Sequence, residues 1–315
     1  MVKRSLLLLT KTLEYNPLSR SSNNVNPKVI RFLESRKKVH QCAIKRCEDV
    51  LRKKDVTWKV IPRSDLTKPI RNFDLIVTIG GDGTLLQASH FIHDSTPLLG
   101  VNSDPTQAQQ VEEFENEFDA SRSTGYLCAT DVNNFEQTID RILAAEEAPE
   151  KLTRISVKVN AEKLPSYALN DILIADPSPA KLSKFSFKIG YGDGTYTQMV
   201  HCRCSGMRIS TPAGSTAAMR SGGGYVMPIL GEDLQYMVRE PISERRCGSP
   251  SMHDKIEPGR TMEITWFGES GSVFFDGGNY HFSVCDGDVI EVSSDAPCLR
   301  VFLPNREKSV HKSLL

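Results

Sequence analysis

The sequence contains neither a Gly-x-Gly-x-x-Gly fingerprint nor a Gly-Lys-Ser/Thr P-loop, which argues against a Rossmann dehydrogenase and a P-loop kinase. It has no charge excess: 39 Lys and Arg balance 39 Asp and Glu. That balance excludes a global nucleic-acid footprint, though not a local basic patch. Long apolar runs are missing too. The four leucines at 6–9 follow Lys3-Arg4 like the start of a signal peptide but are too few for its apolar region or for a membrane span. They read as a buried first strand ending at Thr10. Cysteine is scarce, eight in 315 residues, with no disulfide-framework spacing, so the thiols read as buried or free in a reducing compartment. Cys202-Arg203-Cys204 is the one close pair; zinc would want a second pair, and two side chains on one strand face is the simpler reading. Targeting signals are weak. The final Ser313-Leu314-Leu315 shares a small residue and a last leucine with the Ser-Lys-Leu peroxisomal address but lacks its basic middle residue. The expected compartment is the cytoplasm, with the peroxisome as the alternative that tail offers.

What is present describes a two-domain globular chain. At about 150 residues per domain the length favours two domains, and 39% hydrophobic with 25% charged residues is ordinary for a folded protein. Residues 28–54 carry Phe32, Val39, Ala43, Cys47 and Val50 on one stripe, which predicts a long amphipathic helix with a solvated basic face. The apolar segment at 58–61, the β-branched run Leu75-Ile76-Val77-Thr78-Ile79, helical spacing at Leu85, Leu86, Ala88 and Phe91, and the apolar segment 97–101 together predict an open α/β layer with a mostly parallel sheet. From about residue 152 the period becomes two: Ile155, Val157, Val159; Phe185, Phe187, Ile189; Met262, Ile264, Trp266. Turn signals at 192–194 and 276–279 punctuate it, predicting an antiparallel, sandwich-like domain. The acid-rich segment 144–150 makes a plausible boundary. The expected domains are 1–125 and 126–294, with the helical stretch before that segment counted in the second and the tail 295–315 packing back on the first.

Three segments carry chemistry. Gly80-Gly81-Asp82-Gly83-Thr84 lies between a buried strand and a helix, where glycines let backbone amides approach an anion closely. Asp82 is the added information. A carboxylate there costs phosphate affinity unless it binds magnesium or takes a proton from an attacking hydroxyl, the two carboxylate roles of phosphoryl transfer. A helix cap with an ordinary tight turn is the alternative. The segment Thr211-Pro212-Ala213-Gly214-Ser215-Thr216-Ala217 follows a strand-like Met207-Arg208-Ile209 and reads as a hydroxyl-rich turn opening a short helix, or simply as a loop. Asn170-Asp171 sits within an apolar strand, where an amide and an acid are costly unless hydrogen-bonded. Adenine edges and ribose hydroxyls are natural partners, and a β-bulge or a satisfied structural pair is the alternative.

These three motifs, in this order and spacing, resemble the NAD kinase family over roughly residues 70–290. With no long N-terminal extension the chain is most similar to the short plant members, the NADH kinases. The resemblance implies an α/β domain and a β-rich domain with the nucleotide site in the cleft between them. It implies ATP-dependent phosphorylation of the adenosine 2′-hydroxyl of NADH or NAD, a divalent metal such as Mg2+ with unspecified ligands, and a homodimer or higher homo-oligomer. Asp82 then matches the aspartate that activates the hydroxyl. Gly80, Gly81, Gly83, Thr84, Thr211, Gly214, Ser215 and Thr216 match the phosphate and nucleotide loops. Asn170 and Asp171, with Asn102, Arg203 and Ala217, fall on the dinucleotide side. The chain departs from the family pattern at Asp171, more often glutamate, at Ala218, usually tyrosine, and at Cys204-Ser205-Gly206, commonly Gly-Asp-Gly. It departs again at 103–107, where Ser-Asp-Pro-Thr-Gln replaces a Gly-x-Leu-Gly-Phe run. The polar segment at Ser103–Gln107 and the plant resemblance together predict NADH as the better substrate. Lipid kinases of the diacylglycerol and sphingosine type share the first loop but leave the other two motifs unexplained. A catalytically inactive dinucleotide sensor would have no need of Asp82.

Overall fold

The leucines at 6–9 are buried because they lie on an interior strand of a parallel sheet covered on both faces. The computed structural model describes residues 3–12, 26–93, 95–122, 124–242, 251–278 and 280–304. The chain divides into one unit up to Glu150 plus the return from Arg300, and a second from Lys151 to Leu299.

The first unit runs β1 (Arg4–Thr10), α1 (Pro27–Leu51), β2 (Val56–Pro62), β3 (Leu75–Gly80), α2 (Asp82–Ser89), β4 (Leu98–Asn102), α3 (Ala108–Phe114), β5 (Thr130–Asp131) and α4 (Phe135–Leu143). Its sheet has the order β2-β1-β3-β4 with β5 against the end of β4, and all these pairings are parallel. Helix α1 starts at Asn26, whose side chain accepts the Lys28 N–H at 2.9 Å, with Pro27 in the first turn. It buries Ala43, Cys47 and Val50 against Leu6, Leu8, Val77 and Ile79. Phe32, expected on the same stripe, instead packs edge-on against Phe114 and Phe118 at 5.4 and 5.1 Å. His40, which was not expected, is buried among the core residues of the helix. The unit boundary also differs from the expected 125/126. Helix α4 inserts Phe135, Ile139 and Ile142 into the core of the first unit, so the chain leaves that unit only at Glu150.

Strand β6 (Glu150–Leu152), a member of the seven-stranded sheet, spans the unit boundary, and the second unit continues through β7 (Ser156–Val159), β8 (Glu162–Lys163), β9 (Asp171–Ala175), β10 (Ser183–Gly190), β11 (Val200–Cys204), β12 (Met207–Ser210), α5 (Ala218–Ser221), β13 (Leu234–Val238), β14 (His253–Ile256), β15 (Thr261–Trp266), β16 (Gly271–Phe275), β17 (Tyr280–Val284) and β18 (Val289–Ser293). Two six-stranded sheets result, ordered β11-β10-β15-β18-β7-β8 and β14-β13-β12-β9-β16-β17. Their pairings are antiparallel. The period-two residues Phe185, Phe187, Ile264 and Trp266 of one sheet share a core with Ile172, Ile174, Ile209 and Val273 of the other, the arrangement of a sandwich. Cys202 and Cys204 both point inward from β11, as the strand reading predicts. The chain returns in β19 (Leu299–Phe302), where Val301 and Phe302 pair with Leu98 and Leu99 of β4.

Candidate active site

In the first unit, Gly80 ends β3, Gly81 caps α2 and Asp82 is its first residue. None of the three glycines at 80, 81 and 83 takes a left-handed backbone. Gly80 is required because a Cβ there would meet the Thr84 hydroxyl oxygen at 2.2 Å. That hydroxyl is buried against Gly80, with no hydrogen-bond partner among the described residues. Gly83 is the open one, with nothing within 4 Å of a built Cβ.

Asp82 is held from a segment that sequence reasoning did not single out. Its carboxylate oxygens accept the Tyr126 N–H at 3.0 Å and the Leu127 N–H at 2.9 Å. The Cys128 thiol adds a longer contact to the same carboxylate, 3.8 Å from Oδ1. The turn that presents these amides needs Gly125, whose φ is +68° and whose Cβ would fall 2.4 Å from the Asn102 side-chain nitrogen. Asn102, at the end of β4, lies in register with Gly80 and accepts the Asp104 N–H at 3.2 Å. Asp82, Asn102 and residues 125–128 are thus one assembly, and a glycine forced into left-handed backbone was its only trace in the sequence. Burial first, then the nearby Asp82 charge, pushes the Cys128 thiol up. It remains a thiol and no nucleophile.

In the second unit the Asn170-Asp171 pair opens β9. The Asp171 carboxylate is buried and bonded to Arg208 of β12. Burial nevertheless pushes it up to about 6, with Arg208 opposing and Asp276 assisting. Asp276, at φ +47° in the turn after β16, accepts the N–H groups of Leu169, Asn170 and Asp171 at 2.9, 2.7 and 3.0 Å. Burial pushes it up to about 6 against those three bonds. Asp276 was legible only as a turn signal, yet it fixes the backbone of the Asn-Asp pair. The Asn170 side-chain oxygen is buried and has no hydrogen-bond partner among the described residues. An amide acceptor held in that state calls for a donor from elsewhere.

The Thr211–Ala217 segment is a short turn of 3-10 helix at Ala213–Thr216 ahead of α5. Most of its hydroxyls are already engaged. Thr211 donates to the Leu169 carbonyl and accepts the Gly214 N–H at 3.2 Å; Ser215 donates to Pro212 at 2.7 Å and accepts from Met227 at 2.9 Å. A Cβ on Gly214 would lie 2.1 Å from the Asn170 carbonyl oxygen, so that glycine lets the turn lie directly on Asn170. Thr216 and Ala217 remain half-exposed and reachable. Arg203 is placed elsewhere: β11 is the edge of the sheet that does not contain β9, and the side chain is not brought beside Asn170-Asp171. The concavity next to Asp171, of about 410 Å3, is lined instead by Lys181, Arg208, Arg239, Phe274 and Gly277.

Residues 15–106 match the model of the ATP-NAD kinase N-terminal domain. The chain is 55% identical over 307 residues to the NADH kinase of Arabidopsis thaliana, covering 96% of each. The chain belongs to the NAD kinase family. A probable NADH kinase from Oryza sativa subsp. japonica is 50% identical over 89% of this chain and 86% of its own length. Among solved structures, an Archaeoglobus fulgidus NAD kinase in complex with ATP matches 98% of both chains with a TM-score of 0.65 at 21% identity. A yeast NADH kinase complexed with NADH covers 99% of this chain and 88% of its own, with a TM-score of 0.64 at 17% identity. The likeness to these two supports the same fold: an α/β unit and an antiparallel β unit. Nothing supports the lipid-kinase or inactive-sensor readings. At the positions where the chain departs from its family's pattern, the residues present have local partners. Ser103 bonds His40 at 2.8 Å, Asp104 pairs with Arg36 and Arg122 at 3.0 and 3.3 Å, and Ser205 donates to Glu240. Ala218 is exposed at the start of α5.

Proposed function

We propose that this chain transfers the γ-phosphoryl group of ATP to the adenosine 2′-hydroxyl of NADH, and of NAD, yielding NADPH or NADP and ADP. The 55% identity over 96% of the chain to a plant NADH kinase carries the reading, and the geometry supports the following roles. Asp82 is the base. Its oxygens are oriented by two backbone amides, and the carboxylate takes the hydroxyl proton as the 2′-oxygen attacks phosphorus. Asn170 offers its unpartnered oxygen to an N–H donor of the dinucleotide. Asp276, acting through the 169–171 backbone, is a positioning residue. Gly83, open on its outer side, and the half-exposed Thr216 and Ala217 are the reachable parts of the two loops. Among the described residues no group of three or more His, Cys, Asp or Glu side chains could hold a metal. A divalent cation such as Mg2+, carried on the ATP phosphates as is usual for that ion, would supply charge neutralisation.

The preference for NADH over NAD, a homodimeric or larger assembly, and a cytosolic location with a peroxisomal option belong to the same proposal. The tail Ser313-Leu314-Leu315 lies outside the described residues. The deciding assay is purified protein with ATP and magnesium, offered NADH, NAD and a diacylglycerol in parallel. NADPH and NADP should form, with kcat/KM higher for NADH; phosphorylated lipid without either product would overturn the reading. Asp82→Asn should lower kcat by about 10²–10⁴ with NADH affinity largely kept, and near-normal turnover of that variant would remove Asp82 from the role of base.

A further inference from the structure

Four parallel strands of the first unit end side by side, in the order β2-β1-β3-β4, and the residues that follow form a continuous row. Thr10 pairs with Pro62, so the next residues, Lys11 and Arg63, leave the sheet as neighbours. One residue further, Thr12 donates a hydrogen bond to Ser64 at 3.1 Å. The Lys11 N–H donates to the Ile79 carbonyl at 3.1 Å, and a Cβ on Gly80 would lie 3.4 Å from the Lys11 Cβ. Lys11 therefore borders the start of the Gly-Gly-Asp-Gly turn. Ser103, following β4, donates its N–H to Gly80 at 2.9 Å. His40 ties the row together, with Nδ1 2.8 Å from the Ser103 hydroxyl and Nε2 3.0 Å from the Lys11 carbonyl.

The charges in this row do not balance. Asp104 is shared by Arg36 and Arg122 at 3.0 and 3.3 Å. Neither Lys11 nor Arg63 forms an ion pair within 4.0 Å among the described residues. Burial holds both below their ordinary values, and the Arg63 charge lowers Lys11 further, with Asp104 opposing by a smaller amount. Burial also lowers His40, so that it is neutral at pH 7 and adds no third positive charge to the row. Two adjacent cations, Lys11 exposed and Arg63 half-buried, repel each other, and that repulsion is relieved by a multivalent anion seated between them. The carboxyl ends of parallel strands are where open α/β sheets bind ligands. A lysine and an arginine also complement each other on phosphate, one as a compact point charge and the other as a planar fork.

We infer that Lys11 and Arg63, leaving β1 and β2 in register beside Gly80, form a subsite for the phosphate chain of a nucleotide. Only the identity of the nucleotide rests on the kinase reading above. The two sources of such a chain are the triphosphate of the donor and the pyrophosphate of the dinucleotide.

The test uses the full chain with Lys11→Gln, Arg63→Gln and Arg63→Lys. Inorganic tripolyphosphate titrated by calorimetry should bind each glutamine variant at least tenfold more weakly than wild type, with a shallower salt dependence. Arg63→Lys should fall between. Because the cations repel each other when no anion is bound, each glutamine variant should melt no lower than wild type without ligand. It should also gain less from added tripolyphosphate. In turnover, a rise in the KM for ATP alone assigns the subsite to the donor, and a rise for NADH alone assigns it to the dinucleotide. Unchanged tripolyphosphate binding in both glutamine variants overturns the inference. So does a fall in melting temperature with every ligand weakened alike, the mark of a structural role. A wild-type protein inactive on NADH that still binds tripolyphosphate through these residues would overturn the kinase reading and leave the subsite standing.

Discussion

Replacing Gly214 by alanine tests how closely the second loop is built onto the Asn-Asp pair. The added Cβ would lie 2.1 Å from the Asn170 carbonyl oxygen, 2.4 Å from its carbon and 2.7 Å from its Cα. All three are backbone atoms, so no rotamer change relieves the clash. An ordinary contact begins near 3.4 Å, which means loop and strand must separate by more than about 1 Å. The carbonyl cannot retreat alone. It accepts the Thr211 N–H at 2.9 Å and the Ser210 hydroxyl at 3.2 Å, while the Asn170 N–H donates to Asp276 at 2.7 Å. Losing two of these bonds at about 1 kcal/mol each, with an overpacking cost of about 1–3 kcal/mol, gives about 3–5 kcal/mol. At roughly 2–4 °C per kcal/mol for a unit of this size, the melting temperature should fall by about 10 °C. The shift also moves the Asn170 side chain, and a 1 Å displacement of a positioning group can cost about 100-fold. Differential scanning calorimetry and the kcat/KM for NADH read the two effects. A variant that melts within about 2 °C of wild type with unchanged kcat/KM would show that the loop is not seated on Asn170, and the argument would fail.

Gly83→Ala is the matched control. With nothing within 4 Å of its Cβ in the first turn of α2, it should stabilise the protein by about 0.5–1 kcal/mol, yet raise the KM for ATP if the donor approaches that face; an unchanged KM would take Gly83 out of the phosphate site. Asn170→Ala removes an acceptor without a partner, so stability should hold while NADH affinity drops about tenfold or more, measured by titration. A large loss of stability with affinity intact would mark Asn170 as structural. Asp171, pushed by burial up to about 6 from 3.8, has its folded value above its unfolded one. Its stabilising contribution is complete below about pH 4 and is lost as pH rises through about 6, a change of order 3 kcal/mol. The pH dependence of denaturant midpoints should show that fall, and Asp171→Asn should flatten it; an identical profile in the variant would refute the assignment. A fluorescent protein carrying the last ten residues, expressed in plant cells, should show whether the tail adds a peroxisomal fraction, and wholly diffuse signal would remove that option.

The sequence by itself determined which elements form and in what order. Continuous apolar runs such as Leu75–Ile79 can be stable only as strands covered on both faces. Alternation at Phe185, Phe187 and Ile189 can bury one face only, so the switch of period from α/β to antiparallel sheet was legible before any contact was known. The glycine-rich turn, the Asn-Asp pair and the second loop were legible for the same local reason: unusual residue types packed into a few positions. Tertiary structure decided what those residues touch. Asp82 is oriented by amides 44 and 45 residues away, and Asp171 and Asn170 by an aspartate more than 100 residues away. Thr211 and Ser215 look like ligand hydroxyls in the sequence but are consumed by neighbouring carbonyls. Lys11 and Arg63 lie far apart in a chain without net charge, and only the in-register pairing of β1 with β2 makes them neighbours. Periodicity constrains a residue's own element, because each side chain's direction follows from its backbone. Hydrogen bonds and charges between elements depend on how the sheets and turns are ordered in space, which no local spacing encodes.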